Sequence, residues 1–147
     1  MNRWQTWSLN ALRIVTGLLF MQHGAQKLFG ALGGTAVDSW MSQMGLAGVL
    51  EFFGGGLIVL GLFTQPVAVV LAIEMLWAYF QVHLPQGYIP IQNYGELALL
   101  YCFIYLFLAA NGGGKFSIDG LIQRRMEGGA ASGTGADTRA GEAVAAH

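Results

Sequence analysis

Charge is what this chain has least of, and cysteine is all but absent. Charged side chains make up 10% of its 147 residues, against about a quarter in an ordinary soluble domain. Hydrophobic residues make up 54%, and the mean hydropathy is +0.52. So few ionic groups cannot cover a soluble fold of this size, which makes lipid the solvent for most of the surface. Positive charge is not in excess either. Seven Lys and Arg against eight Asp and Glu leave a formal net charge of −1, so the basic field on which nucleic-acid binding depends is missing. The single cysteine, Cys102, rules out an internal disulfide, and there is neither a C-x-x-C nor a haem-attachment sequence. Lying in an apolar run, Cys102 reads as a small hydrophobe.

What is present is oil in lengths that span a bilayer. The apolar pattern predicts four helices, over residues 9–29, 46–63, 66–83 and 93–110. At ~1.5 Å per residue each covers about 25–30 Å, close to the hydrocarbon thickness. The expected fold is therefore all-α, a polytopic four-transmembrane-helix bundle. The first stretch is read as a retained helix and not as a signal peptide, because Arg13 interrupts its apolar region and no cleavage site follows. Only Thr64 and Gln65 separate spans two and three, with Pro66 suited to the first turn of the next helix, so these two form an antiparallel hairpin.

The loops over 30–45 and 84–92 carry no Lys or Arg, whereas Arg3 precedes the first span and Lys115, Arg124 and Arg125 follow the fourth. The positive-inside rule then places both termini in the cytoplasm. Trp4 and Trp7 at one end, with Trp40, Tyr88 and Tyr94 at the other, suit the interfacial belts. Residues 1–126 read as one membrane domain. The Gly- and Ala-rich stretch 127–147 has no aromatic residue and reads as a disordered tail.

Ionisable residues inside such spans are costly unless they pair or face water, which makes each a candidate functional residue. Arg13, Gly17, Phe20, Gly24 and Lys27 fall on one stripe of the first span, flanked by His23. Glu51 shares a face with Gly48 and Gly55, and small residues there let another backbone approach. By depth, Lys27 can pair with Glu51 or with Glu96, and His23 and His83 belong to the same outer third. Glu74, about 12 Å beyond Pro66 at ~1.5 Å per residue, sits nearer the midplane, and both an ion pair and a neutral carboxyl are open to it. His83, nine positions further, is expected to point away from it. The plainer alternative is that Arg13 and Lys27 snorkel to opposite interfaces and the glycines only pack.

His23, His83, Glu51 and Glu96 are metal-capable types, but no H-x-x-x-H or E-x-x-H spacing joins them, so neither a metal nor a bis-histidine haem is expected. A pocket for a quinone or small neutral substrate would use Trp77, Tyr79 and Tyr94 as walls and the charged cluster as proton partner.

Five segments taken in order resemble those of DoxX-family membrane proteins. They are Arg13 to Gly17, His23-Gly24-Ala25-Gln26-Lys27-Leu28-Phe29-Gly30, Glu51-Phe52-Phe53-Gly54-Gly55, Asn93-Tyr94-Gly95-Glu96, and Gly112-Gly113-Gly114-Lys115-Phe116-Ser117-Ile118-Asp119. The resemblance implies a four-helix integral membrane fold in the bacterial inner membrane, with Arg13, His23, Lys27, Glu51, Asn93 and Glu96 as the matching positions. Some similar proteins are linked to thiosulfate:quinone oxidoreduction or to membrane oxidoreductase complexes. Ser117 and Asp119 are expected to cap or turn the exit of span four, and the glycines before them to stop its helix.

The leading expectation is an accessory subunit of a membrane redox system, with a quinone as possible substrate and an oxidoreductase as partner. A small-solute or proton transporter, and a noncatalytic scaffold whose buried charges only join helices, are the rival readings. Whether the chain is itself an enzyme stays open.

Overall fold

The computed structural model describes residues 2–128, and all regular structure among them is helical. Helix α1 runs from Arg3 to Phe29. It begins ahead of the expected apolar stretch because Asn2 and Gln5 form a reciprocal capping box, each side chain accepting the other's backbone N–H at 2.8 Å. It stops at Gly30, which takes the left-handed conformation at φ 64°.

A second rod covers Gln43–Leu60. It consists of α2 (Gln43–Val49), a π-helical turn (Leu50–Gly54) and α3 (Gly55–Leu60). It ends three residues before the expected position 63, because Gly61 and Phe63 both turn left-handed, at φ 66° and 50°. A third rod, Thr64–Gln86, joins α4 (Thr64–Ala78), a second π turn (Tyr79–His83) and a 3-10 turn (Leu84–Gln86). Helix α5 spans Glu96–Asn111 and ends at Gly112. Residues 118–128 form one more helix. The tail expected to be disordered, 127–147, lies outside the described residues from position 129 onward.

Two of these rods, Gln43–Leu60 and Thr64–Gln86, are long and apolar enough to cross a membrane, and α5 is a shorter apolar helix. Helix α1 packs antiparallel against the second rod, glycine to glycine. A Cβ on Gly17 would stand 2.8 Å from the Gly55 carbonyl oxygen, and a Cβ on Gly55 equally close to that of Gly17, so the backbones themselves are in contact. Helix α4 packs along α5. The core between the pairs is Phe20, Ile58, Leu71, Tyr105 and Leu108, all essentially inaccessible. Outward faces carry Leu18, Val69, Ile73, Leu100 and Phe103 exposed, an apolar surface that suits hydrocarbon and not water.

Candidate functional site

Antiparallel packing of α1 on the second rod brings Lys27 to Glu51. The Lys27 Nζ to Glu51 Oε1 distance is 2.5 Å, with side-chain exposures of 27% and 3%, and this is the one ion pair among the described residues. Glycines create the approach. Gly24 faces the backbone of Phe52 and Gly48, and Gly48 faces the side chains of Lys27 and Leu28, so bulk at either position would hold the partners apart.

The π turn carries Glu51 itself. An extra residue in one turn re-aims side chains relative to a regular α-helix, a device common at functional sites. The second π turn ends on His83, which lines the same cavity as Glu74 from beside the loop that carries Asn93. The His83 Nδ1 lies 2.9 Å from the Asn93 carbonyl oxygen. A carbonyl only accepts, so Nδ1 carries the proton and the Nε2 of a neutral ring is an acceptor.

The cavity has a volume of about 860 Å³. Its polar groups are His23, Lys27, Glu51, Glu74, His83 and the Tyr101 ring edge, and its apolar walls include Phe20, Leu46, Leu50, Ile73, Trp77 and Leu97. The second rod touches α4 through α3 and the π turn. Beyond that contact the cavity opens between α2 and the upper part of α4, whose Leu46, Ile73 and Trp77 are exposed to the surroundings. It is a cleft with a polar floor and an apolar, laterally open side.

Several buried polar atoms at this floor have no hydrogen-bond partner among the described residues. They are Glu51 Oε2 and both carboxyl oxygens of Glu74; away from the lining, the Tyr105 hydroxyl, Arg13 Nε and the Thr64 hydroxyl are likewise unpaired. Such groups in a folded protein point to water, an ion or a ligand. Tyr101 and Tyr105 stack at 6.0 Å between centroids, and His23 meets the Tyr101 ring edge-on at 6.3 Å. Sequence reasoning missed both tyrosines. Their i, i+4 spacing in the apolar run of α5 puts two hydroxyls on one buried face, a signal that was available. Of the expected aromatic walls, Trp77 and Tyr94 line the cavity, whereas Tyr79 is buried behind it against His83 and Gly95.

The remaining predicted residues lie elsewhere. Glu96 is exposed in the first turn of α5 and lies outside the cavity lining, so Lys27 pairs with Glu51 and not with Glu96. Asn93 is fully buried as a loop fastener, donating to the Gly87 carbonyl at 2.7 Å and accepting from the Gly95 N–H at 2.8 Å.

Arg13, 1% exposed, sits at the opposite end of α1. Its guanidinium donates to the carbonyls of Ile58 at 2.7 Å, Val59, and Phe116 at 2.9 Å, and to the Asn10 side chain at 3.3 Å. It neither snorkels nor joins the cavity, but caps the C-terminal end of α3. Beside it Asp119 accepts from the Phe63 and Thr64 N–H groups at 2.9 and 2.8 Å, and the Ser117 hydroxyl accepts from the Gly120 N–H at 3.0 Å. The segment after α5 is thus the capping device expected of Ser117 and Asp119. Two ends of the molecule do different work: one closes helix termini, the other opens into the cavity. No group of three or more metal-capable side chains occurs among the described residues.

Helical rods with apolar outward faces around a polar cleft define the class as an all-helical membrane protein. Comparison with known proteins supplies the family: the DoxX model matches residues 8–84, just over half of the chain, and the protein belongs to the DoxX family. A Haemophilus influenzae protein described as uncharacterized is 38% identical over 127 residues, covering 81% of this chain and 93% of its own length. An uncharacterized membrane protein of Mycobacterium tuberculosis is 27% identical over 135 residues, covering 80% and 83%. CatD of Bacillus subtilis, provisionally named an oxidoreductase, is 28% identical over 117 residues, covering 76% and 84%. No solved structure matches the chain significantly.

Proposed function

We propose that this protein is a four-span component of the bacterial inner membrane with both termini cytoplasmic, serving as accessory subunit of a quinone-linked redox system and holding a quinone-type molecule in the cleft. The observation that carries the reading is the laterally open apolar cleft ending on the Lys27, Glu51 and Glu74 floor. Its volume falls in the ~300–1,000 Å³ range of small-molecule sites. A lipid-phase molecule can enter sideways, lay its ring against Phe20 and Trp77, and present carbonyl oxygens to the donors at the floor. The isoprenoid tail would follow Ile73 and Leu46 into the bilayer. The relationship to CatD supports the redox side of the reading, and the absence of Lys and Arg from loops 30–45 and 84–92 supports the topology.

The test is binding in lipid nanodiscs. A ubiquinone analogue is expected to quench tryptophan emission saturably in the wild type, with most of the effect lost in Trp77→Phe and a weaker affinity in Lys27→Met. Quenching that never saturates, or that survives unchanged in both variants, would remove the quinone. Uptake of a small solute by liposomes containing the purified protein would replace the reading with transport.

A further inference from the structure

Glu74 is the group in this cavity whose circumstances demand an explanation. Both its carboxyl oxygens are buried and neither has a partner. The titratable groups that face it are His23 and Lys27 of α1, Glu51 of the first π turn, Tyr101 and Tyr105 of α5, and His83 beyond it on its own rod. The one lysine or arginine among them, Lys27, is committed to Glu51 at 2.5 Å. A carboxylate left without a counter-ion or donor in a desolvated site carries a penalty that it escapes by taking up a proton.

A neutral Glu74 then presents one O–H donor and one carbonyl acceptor to the cavity. The path for exchanging that proton runs one way. Toward the mouth, the cavity is continuous with the exposed Ser42, Gln43 and Tyr94. In the other direction Ile58, Ala68, Leu71 and Leu108, none more than 1% exposed, pack into one apolar cluster. Beyond them the Arg13 guanidinium and Asp119 close the helix ends.

We infer that Glu74 is the exchangeable-proton site of this cavity. It holds a proton, donates that O–H to an acceptor oxygen of the molecule bound there, and exchanges it only with water on the side of loops 30–42 and 87–95. On exchange the O–H bond of Glu74 breaks with its electron pair left on the carboxyl oxygen, and a proton from water at the mouth restores it. The identity of the acceptor rests on the quinone reading above; the proton site and its sidedness do not.

Dicyclohexylcarbodiimide tests this in the full chain, reconstituted in vesicles of scored orientation. The reagent reacts with a protonated carboxyl: the acid proton moves to a carbodiimide nitrogen, the carboxyl oxygen bonds to the central carbon, and the adduct rearranges to a stable acylurea read by mass spectrometry. Glu74 should label several-fold faster than Glu51, and Glu74→Gln should lose that label. In Lys27→Met, Glu51 should become reactive as well, because its counter-ion is gone. Raising the pH on the loop side should slow labelling of Glu74, and raising it on the other side should not. No label at Glu74 in a folded wild type, or a rate that follows the opposite compartment, would overturn the inference. Protection by a ubiquinone analogue would support both halves, whereas labelling of Glu74 without protection upholds the proton site and removes the quinone.

Discussion

Lys27 and Glu51 do not share their burial equally, and that asymmetry sets what each substitution does. Glu51 is 3% exposed and Lys27 27%, so Lys27 deprived of its partner can turn its ammonium toward water while Glu51 cannot. Lys27→Met should therefore destabilise more than Glu51→Gln, approaching the ~3–5 kcal/mol typical of breaking a buried pair. The double variant should fall short of the sum of the singles. Thermal unfolding of the three proteins in one detergent decides it, and additive losses would mean that the two charges do not interact. Arg13 predicts the reverse separation of stability and function. Its hydrogen bonds run to three backbone carbonyls on two segments, and bonds to a charged donor are worth about 1.5–3 kcal/mol each. Arg13→Met should lose at least about 3 kcal/mol on that scale yet retain ligand affinity wherever it remains folded. A specific loss of binding in the folded variant would contradict its assignment to the helix ends.

At the scale of elements, the distance between α1 and the second rod depends on which glycines face the neighbouring backbone. A Cβ at Gly24 would come within 2.7 Å of the Gly48 carbonyl oxygen, whereas one at Gly56 would meet nothing nearer than the Met21 sulfur at 3.8 Å. Gly24→Ala should thus cost about 1–3 kcal/mol or more by overpacking and part Lys27 from Glu51. Gly56→Ala, gaining helix propensity, should be neutral or stabilising by up to about 1 kcal/mol. Equal melting temperatures for the two would argue against the backbone contact. The turn between α3 and α4 depends on a residue far along the chain. Phe63 is left-handed without being glycine, and Asp119 supports it by accepting from its N–H and that of Thr64. Asp119→Ala should cost about 0.5–2 kcal/mol, the range for a lost helix cap, read by denaturant titration. Glycine spacing on α1 made this packing face legible in advance, but nothing in the local pattern of residues 61–66 announced that position 119 would complete their turn.

For the molecule as a whole, the proposed orientation predicts labelling by side. In a Cys102→Ala background, a cysteine at Ser39 should react with an impermeant maleimide only from outside the cell, and one at Gln123 only from the cytoplasm. Reaction of both from one face would require an even number of crossings between them and would break the topology. Solvent class, helical composition and family were already legible in the chain, since shortage of charge, apolar run length and motif order are properties of residues taken in sequence. Depth was nearly as accessible: counting rise per residue placed Lys27, Glu51 and His83 at one level and Arg13 at the other. Counting also put Glu51 on one face with Gly48 and Gly55, and all three do turn to α1. The two π turns, at Leu50–Gly54 and Tyr79–His83, had no such signal, and only the packed structure shows where they fall. The tertiary fold alone decided that Lys27 takes Glu51 and leaves Glu96 outside, that Arg13 is consumed by carbonyls 45 to 103 residues away, and that Glu74 is left without a partner. The physical reason is that a hydrogen bond is decided within a few tenths of an ångström, whereas periodicity places a side chain only to within a helical face.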